Sequence, residues 1–345
     1  MKKIFSLLLV CCMLPVFALA DEVVNVFNWE DYIDESVLQE FTVETGIRVN
    51  YMRFTTNEDM IVQVETNPGG FDVVFPSDYM VERMLAKGLL AEINYDHIPN
   101  AKYILENLRN PDYDPDGAHS IPYMWGTVGI LYNKTMVDPA DVNTWGVLWN
   151  EKYRGTVFML DSIRDTFGVT LKYLGYSVNS REYPLLKEVA DKLVEQKTSG
   201  MVKAYQVDET KDKMVAGEGA LALMWSGDAQ YAIDLNDDLD YVVPKEGSNV
   251  WVDPMVILKD ARNLENAEKF IDFLCRPEVA QKNCEEIRYS SPNSGAIELM
   301  GEEYTSNSVL NPSQETLANC EFFIDIPEKE LKVYNALWTE VKNAK

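Results

Sequence analysis

Ala220-Leu221-Ala222-Leu223-Met224 is an unbroken apolar run that ends in Trp225-Ser226-Gly227-Asp228. A strand with no polar side must be covered on both faces, which points to helices packed on a mostly parallel sheet. The same signal recurs along the chain. Val23 to Phe27 reads as a strand, Ser36 to Glu44 as a helix closed by Gly46, and Ile47 to Met52 as the next strand. Asp72 to Phe75 repeats the strand pattern, and Val81 to Lys87 reads as a helix stopped by Gly88. After a gap, Thr156 to Leu160 precedes a helix from about Ser162 to Leu174. Two βαβ-type units are therefore expected, with no Gly/Ser- or Pro-rich linker between them. Two extended apolar stretches, Thr127 to Tyr132 and Trp251 to Leu258, are placed to carry the chain between the units, so discontinuous lobes are expected.

Charge and histidine content narrow the function. The 345 residues carry 31 basic and 56 acidic side chains, a net charge of −25 that opposes binding to a nucleic acid and favours a cationic partner. Only His97 and His119 are present, far apart and without cysteines nearby. Histidine-based zinc sites, catalytic triads and imidazole acid-base chemistry are disfavoured, and no metal or cofactor is expected. Residues 1–20 read as an export signal: Lys2 and Lys3, an apolar run from Ile4, and Ala18-Leu19-Ala20 before Asp21. A periplasmic or otherwise extracytoplasmic location follows. Removing that segment leaves Cys275, Cys284 and Cys320, an odd number from which the sequence assigns no bridge. Cys275 and Cys284 flank an expected helix, about 13 Å apart along its axis, too far to bond to each other.

The candidate site residues share one pattern, an aromatic beside a carboxylate or hydroxyl where an expected strand ends. It occurs in Asn28-Trp29-Glu30-Asp31-Tyr32, Pro76-Ser77-Asp78-Tyr79, Trp225-Ser226-Gly227-Asp228 and Trp251-Val252-Asp253. Ligands in open α/β sheets bind beyond the carboxyl ends of strands, so these segments can converge on one cleft. Aromatic faces attract ammonium groups and cover methylenes, while carboxylates partner a charge otherwise desolvated at cost. That combination suits an elongated organic cation. Taken singly, Trp29 and Trp225 read more readily as core or lobe-interface residues, and Asp31, Asp78 and Asp228 as turn or cap residues. Trp251 and Asp253 carry more information, because positions two apart on a strand share a face. Asp161-Ser162-Ile163-Arg164-Asp165 opens an expected helix, where capping and ligand binding are both open.

Taken in order, these segments resemble the spermidine/putrescine-binding proteins of bacterial polyamine ABC importers. The likeness extends through Phe41 to Gly46, Asp72 to Tyr79, Ile121 to Gly126, Pro244 to Gly247 and Tyr289 to Asn293. It implies a type II periplasmic-binding fold of the α/β class, two lobes each with a mixed sheet flanked by helices and a ligand between them. The lobes are expected at 21–127 plus 253–297 and at 128–252 plus 298–345. By position, Trp29, Tyr32, Trp225, Trp251 and Tyr289 would form an aromatic box, with Ser77 and Tyr79 adding hydroxyl and ring contacts. Asp31, Asp253 and an acid near the start of the helix after Asp161 would hold ammonium groups; Asp165 fits that role better than Asp161. Asp228 resembles the putrescine-selective relatives, and Phe323 stands where spermidine-binding relatives have a Gln. The resemblance implies a monomeric receptor that delivers putrescine or spermidine to a membrane permease and catalyses nothing. A sugar receptor of the same fold and a carboxylate-dependent glycoside hydrolase remain the alternatives.

Overall fold

A computed structural model describes residues 22–345; the expected export signal lies outside them. Each apolar run becomes a strand and each amphipathic stretch a helix. The first unit comprises β1 (Val23–Trp29), α1 (Glu35–Thr45), β2 (Arg48–Phe54), α2 (Asn57–Thr66), β3 (Val73–Val74) and α3 (Asp78–Ala86). A long strand, β4 (Ser120–Asn133), follows several 3₁₀ turns. The second unit holds β5 (Val157–Leu160), α4 (Ile163–Tyr173), α5 (Tyr183–Thr198), β6 (Val202–Gln206), α6 (Glu209–Val215), β7 (Leu221–Trp225), α7 (Ser226–Leu235) and β8 (Leu239–Val242). The chain then passes through β9 (Asn249–Ile257), α8 (Leu264–Leu274), α9 (Pro277–Ile287), α10 (Ser294–Thr305), α11 (Gln314–Leu317), β10 (Glu321–Phe322) and α12 (Glu328–Asn343).

Local chemistry sets several of these boundaries. Asp34 caps α1 by accepting from the Ser36 amide, and Gly46 ends it at φ +75°, a conformation glycine adopts without penalty. Helix α3 opens at Asp78, three residues before the apolar pattern suggests, because Ser77 is extended and Asp78 and Tyr79 already lie within the first turn. The cysteine expectation is corrected. Cys275 caps the preceding helix α8 and Cys284 lies inside α9, so the pair does not flank one helix. The three cysteines among the described residues are free thiols, Cys275 and Cys284 being buried.

The strands run in the order β2-β1-β3-β9-β4-β7-β5-β6, with β8 beside β4 and β10 beside β9. β1 pairs in parallel with β2 and β3, and β5 with β6 and β7, as βαβ crossovers require. The antiparallel strands β4 and β9 lie between these groups. Residues Ser120 to Thr127 of β4 pair with β9, and Val128 onward pairs with β7 and β8. β4 thus changes partner between Thr127 and Val128, giving a two-lobed α/β molecule in which one strand is shared. Every residue of β9 is buried, including Asp253. A carboxylate in such a strand costs free energy unless something compensates it. Among the described residues, no helix is long and apolar enough to cross a membrane.

Candidate functional site

The segments after β1, β3 and β5 bring Tyr32, Asp78 and Asp165 to β9, where they meet Asp253, Val252 and Asn249, and Asp228 after β7 meets Tyr289 from the turn after α9. At the centre is Asp253, 7% exposed. The Tyr32 hydroxyl donates to its Oδ2 at 2.9 Å, while its Oδ1 has no protein partner. Burial pushes this carboxyl up to about 7, against the pull of the Ser77 and Tyr32 hydroxyls. An incoming cation would supply the missing partner and favour ionisation.

The aromatic walls are assembled by close packing. Tyr289 meets Trp251 edge-on at 5.0 Å between ring centroids and Tyr32 at 5.7 Å. Two glycines make room for these rings. A Cβ on Gly227 would lie 2.3 Å from the Tyr289 ring, and one on Gly126 would lie 2.6 Å from Trp251, so neither position admits a side chain without displacing the wall. Trp29 packs on Phe54 at 4.5 Å, and the indole N–H groups of Trp29 and Trp251 are buried with no protein acceptor. Trp225 is half-buried at the end of β7.

Three further acids face this space. Asp165 stands in the first turn of α4, buried, with Ser162 donating to Oδ2 at 2.6 Å and Asn249 to Oδ1 at 3.4 Å. Burial raises its pKa and these hydrogen bonds oppose the rise. Asp228, in the first turn of α7, accepts from the Tyr289 hydroxyl at 3.2 Å and lies 3.6 Å from the Lys211 ammonium. Its pKa is raised by burial, with Lys211 opposing. Asp78 is fully buried, but its oxygens turn back to the amides of Tyr79, at 2.7 Å, and Val252, at 3.4 Å. It is a closed helix-start residue.

The remaining sequence candidates divide. Ser77 and Tyr79 sit on the rim and are tied together by Asn57, whose amide donates to both hydroxyls at 3.1 and 3.0 Å. Asp31 is exposed in the loop after β1, with a left-handed φ of +50°. Asp161 is not brought to the cluster. It precedes the Ser162 cap, points outward and pairs with Lys342 of α12 at 2.6 Å. Phe323 lies 4.2 Å beneath the buried Arg164 guanidinium, which also approaches the Tyr79 ring at 5.1 Å. Burial lowers the Arg164 pKa. Sequence reasoning missed Lys211 and Asn57, neither of which stands in an aromatic-acid segment; only tertiary pairing reveals them.

Buried acids and aromatic rings thus gather at the strand ends, with the Oδ1 atoms of Asp253 and Asn249 lacking a protein partner. The chain belongs to the bacterial extracellular solute-binding protein family, whose model matches residues 36–311. Within it, the chain is a member of the spermidine/putrescine-binding group of periplasmic proteins, not an enzyme. It is 35% identical over 301 residues to the "Spermidine/putrescine-binding periplasmic protein" of Escherichia coli K12, covering 87% of this chain and 86% of that one. It is 30% identical over 344 residues to the "Putrescine-binding periplasmic protein SpuD" of Pseudomonas aeruginosa, covering 94% and 93%. A solved "Putative spermidine/putrescine ABC transporter from Listeria monocytogenes" superposes with a TM-score of 0.89 at 37% identity, covering 94% of this chain and all of that one.

Proposed function

We propose that this protein is an extracytoplasmic receptor for an aliphatic polyamine, putrescine or spermidine, which it delivers to the permease of an ABC importer. The observation that carries this reading is Asp253: a buried carboxyl with one oxygen holding the hydroxyl of Tyr32, whose ring packs on Tyr289 and through it on Trp251, and the other oxygen unpartnered. One ammonium takes that oxygen. The methylene chain runs along Trp251, Tyr289 and Trp225, and Asp165 receives a second ammonium. Trp29, Asp31, Ser77, Tyr79 and Asp228 complete the rim and the far wall. The lobes are 21–127 plus 253–297 and 128–252 plus 298–345, closing on the ligand about β4 and β9. Residues 1–20 direct export, and the mature receptor acts as a monomer.

A neutral sugar offers the buried Asp253 carboxyl no charge to pair with and forgoes the stabilisation that an ammonium gains there, which disfavours that alternative. The hydrolase reading has no support from a family of binding proteins. Calorimetric titration of the mature protein with putrescine, spermidine and a neutral disaccharide tests the proposal. A 1:1 exothermic association with at least one amine, and recovery of that amine unaltered, is expected. Binding of the sugar alone would overturn it.

A further inference from the structure

Lys211 places a cation of the protein's own inside a site built for cations. It projects from α6, and its side chain is 21% exposed. Its ammonium lies 3.6 Å from Asp228 Oδ1, and Asp228 Oδ2 is taken by the Tyr289 hydroxyl at 3.2 Å. The same ammonium sits 5.4 Å from the centroid of the Tyr231 ring, a carboxylate-plus-aromatic setting like the one offered to a ligand amine. Burial works to lower the Lys211 pKa, but Asp228, Asp208 and Asp31 outweigh it and the net shift is upward. The lysine is charged at neutral pH.

Among the described residues, no cation stands within ion-pair distance of the other acids of the cluster; the buried Arg164 guanidinium acts on Asp165 and Asp78 only from further off. Asp253 has only neutral hydroxyls beside it, those of Tyr32 and Ser77, and Asp165 receives a hydroxyl and an amide. Asp78 is closed by backbone amides. Two buried acids therefore stand open to ammonium groups, and the third is already occupied.

We infer that Lys211 is a tethered competitor for the ammonium place at Asp228, and that it sets the charge count of the ligand by excluding a third amine. This rests on the polyamine reading of the same cleft. A diamine satisfies Asp253 and Asp165 with Lys211 in place. A triamine must displace Lys211 from Asp228 or leave its third ammonium without a carboxylate, and either course penalises it relative to the diamine.

The test is calorimetric titration of putrescine and spermidine into the mature wild type and into Lys211→Met, which keeps the apolar stem, and Lys211→Gln, which keeps an uncharged polar tip. Spermidine affinity is expected to rise about tenfold relative to putrescine in both variants, the scale of one gained ligand contact. Lys213→Met removes the same charge from the same helix, but its ammonium hydrogen-bonds Gln206 instead, so its amine ratio should match wild type. Adding Asp228→Asn to Lys211→Met should cancel the gain. An unchanged ratio in the Lys211 variants, or an equal shift in Lys213→Met, overturns the role of Lys211 and leaves the receptor standing. A wild type that binds neither amine overturns the receptor reading and this inference together.

Discussion

Two buried acids stand at opposite ends of the same strand pair. Asp72 precedes β3, which runs antiparallel to β9, and Asp253 lies in β9 beyond the other end of β3. Asp72 is saturated. Its Oδ2 accepts from the Asn25 amide, the Asn25 side chain and the Asn263 side chain at 2.7–2.9 Å, and its Oδ1 from the amides of Arg262 and Asn263 at 2.9 and 3.0 Å. Asp253 has a single hydroxyl on one oxygen and nothing on the other. Both acids are equally legible as "buried Asp", yet their chemistry differs. Asp72 spends its charge on the fold, clamping β1, β3 and the start of α8 together; on the proposed reading, Asp253 holds its charge for a partner that arrives from outside.

The sharpest way to break this contrast is to remove each charge. Asp253→Asn is predicted to weaken polyamine binding by about 2–5 kcal/mol, since a desolvated ammonium loses its counter-ion. The empty variant should be at least as stable as wild type at pH 8, because no buried charge remains. Titration calorimetry and thermal melts read the two quantities. Asp72→Asn should do the reverse, costing about 3 kcal/mol of stability as an amide N–H is turned against donors. Its ligand affinity, measured on folded protein, should be nearly unchanged. An Asp72 variant that loses affinity but not stability would erase the distinction.

The contrast also has a pH signature. A carboxyl whose folded pKa, about 7, exceeds its unfolded value binds protons more tightly in the native state. Its favourable contribution is complete at low pH and is lost as pH rises from about 4 towards 7. Between pH 5 and pH 7 the empty protein should therefore lose about 2–3 kcal/mol from Asp253. Saturating polyamine should flatten that slope, as should Asp253→Asn. Chemical denaturation across this range, with and without ligand, measures it. The smallest effect is expected for Asp78→Asn. That acid is also held well above the usual carboxylate range, by burial first, yet its oxygens already face backbone amides. Its substitution should change ligand affinity by less than about 1 kcal/mol.

Much of this arrangement was legible in the residues. Apolar runs located the buried strands because both faces of the sheet are covered, and the aromatic-acid pairs marked the strand ends where the cleft forms. The two-residue spacing of Trp251 and Asp253 put both on one face of β9 because a strand alternates its faces. Asp161 and Asp165 show where such reading weakens. Both lie at one helix start, and only the position of the Ser162 cap turns the first outward to Lys342 and the second inward to Asn249. Asp72 read merely as part of a strand signal, since its donors come from residues 47 to 191 positions away. Lys211 sits in Glu209-Thr210-Lys211-Asp212-Lys213, which in one dimension resembles an ordinary solvated helix face. No local pattern encodes its meeting with Asp228.

The claim that Asp253 keeps its charge for the ligand is tested most directly by counting protons. Titrating the ligand in two buffers of different ionisation enthalpy at pH 6 should reveal release of about one proton per amine bound, because the empty carboxyl is mostly protonated there and the bound one is not. In Asp253→Asn that release should vanish. Heats that are independent of the buffer in the wild type would mean that Asp253 is already ionised in the empty cleft, or stays neutral beneath the ligand, and would contradict the account.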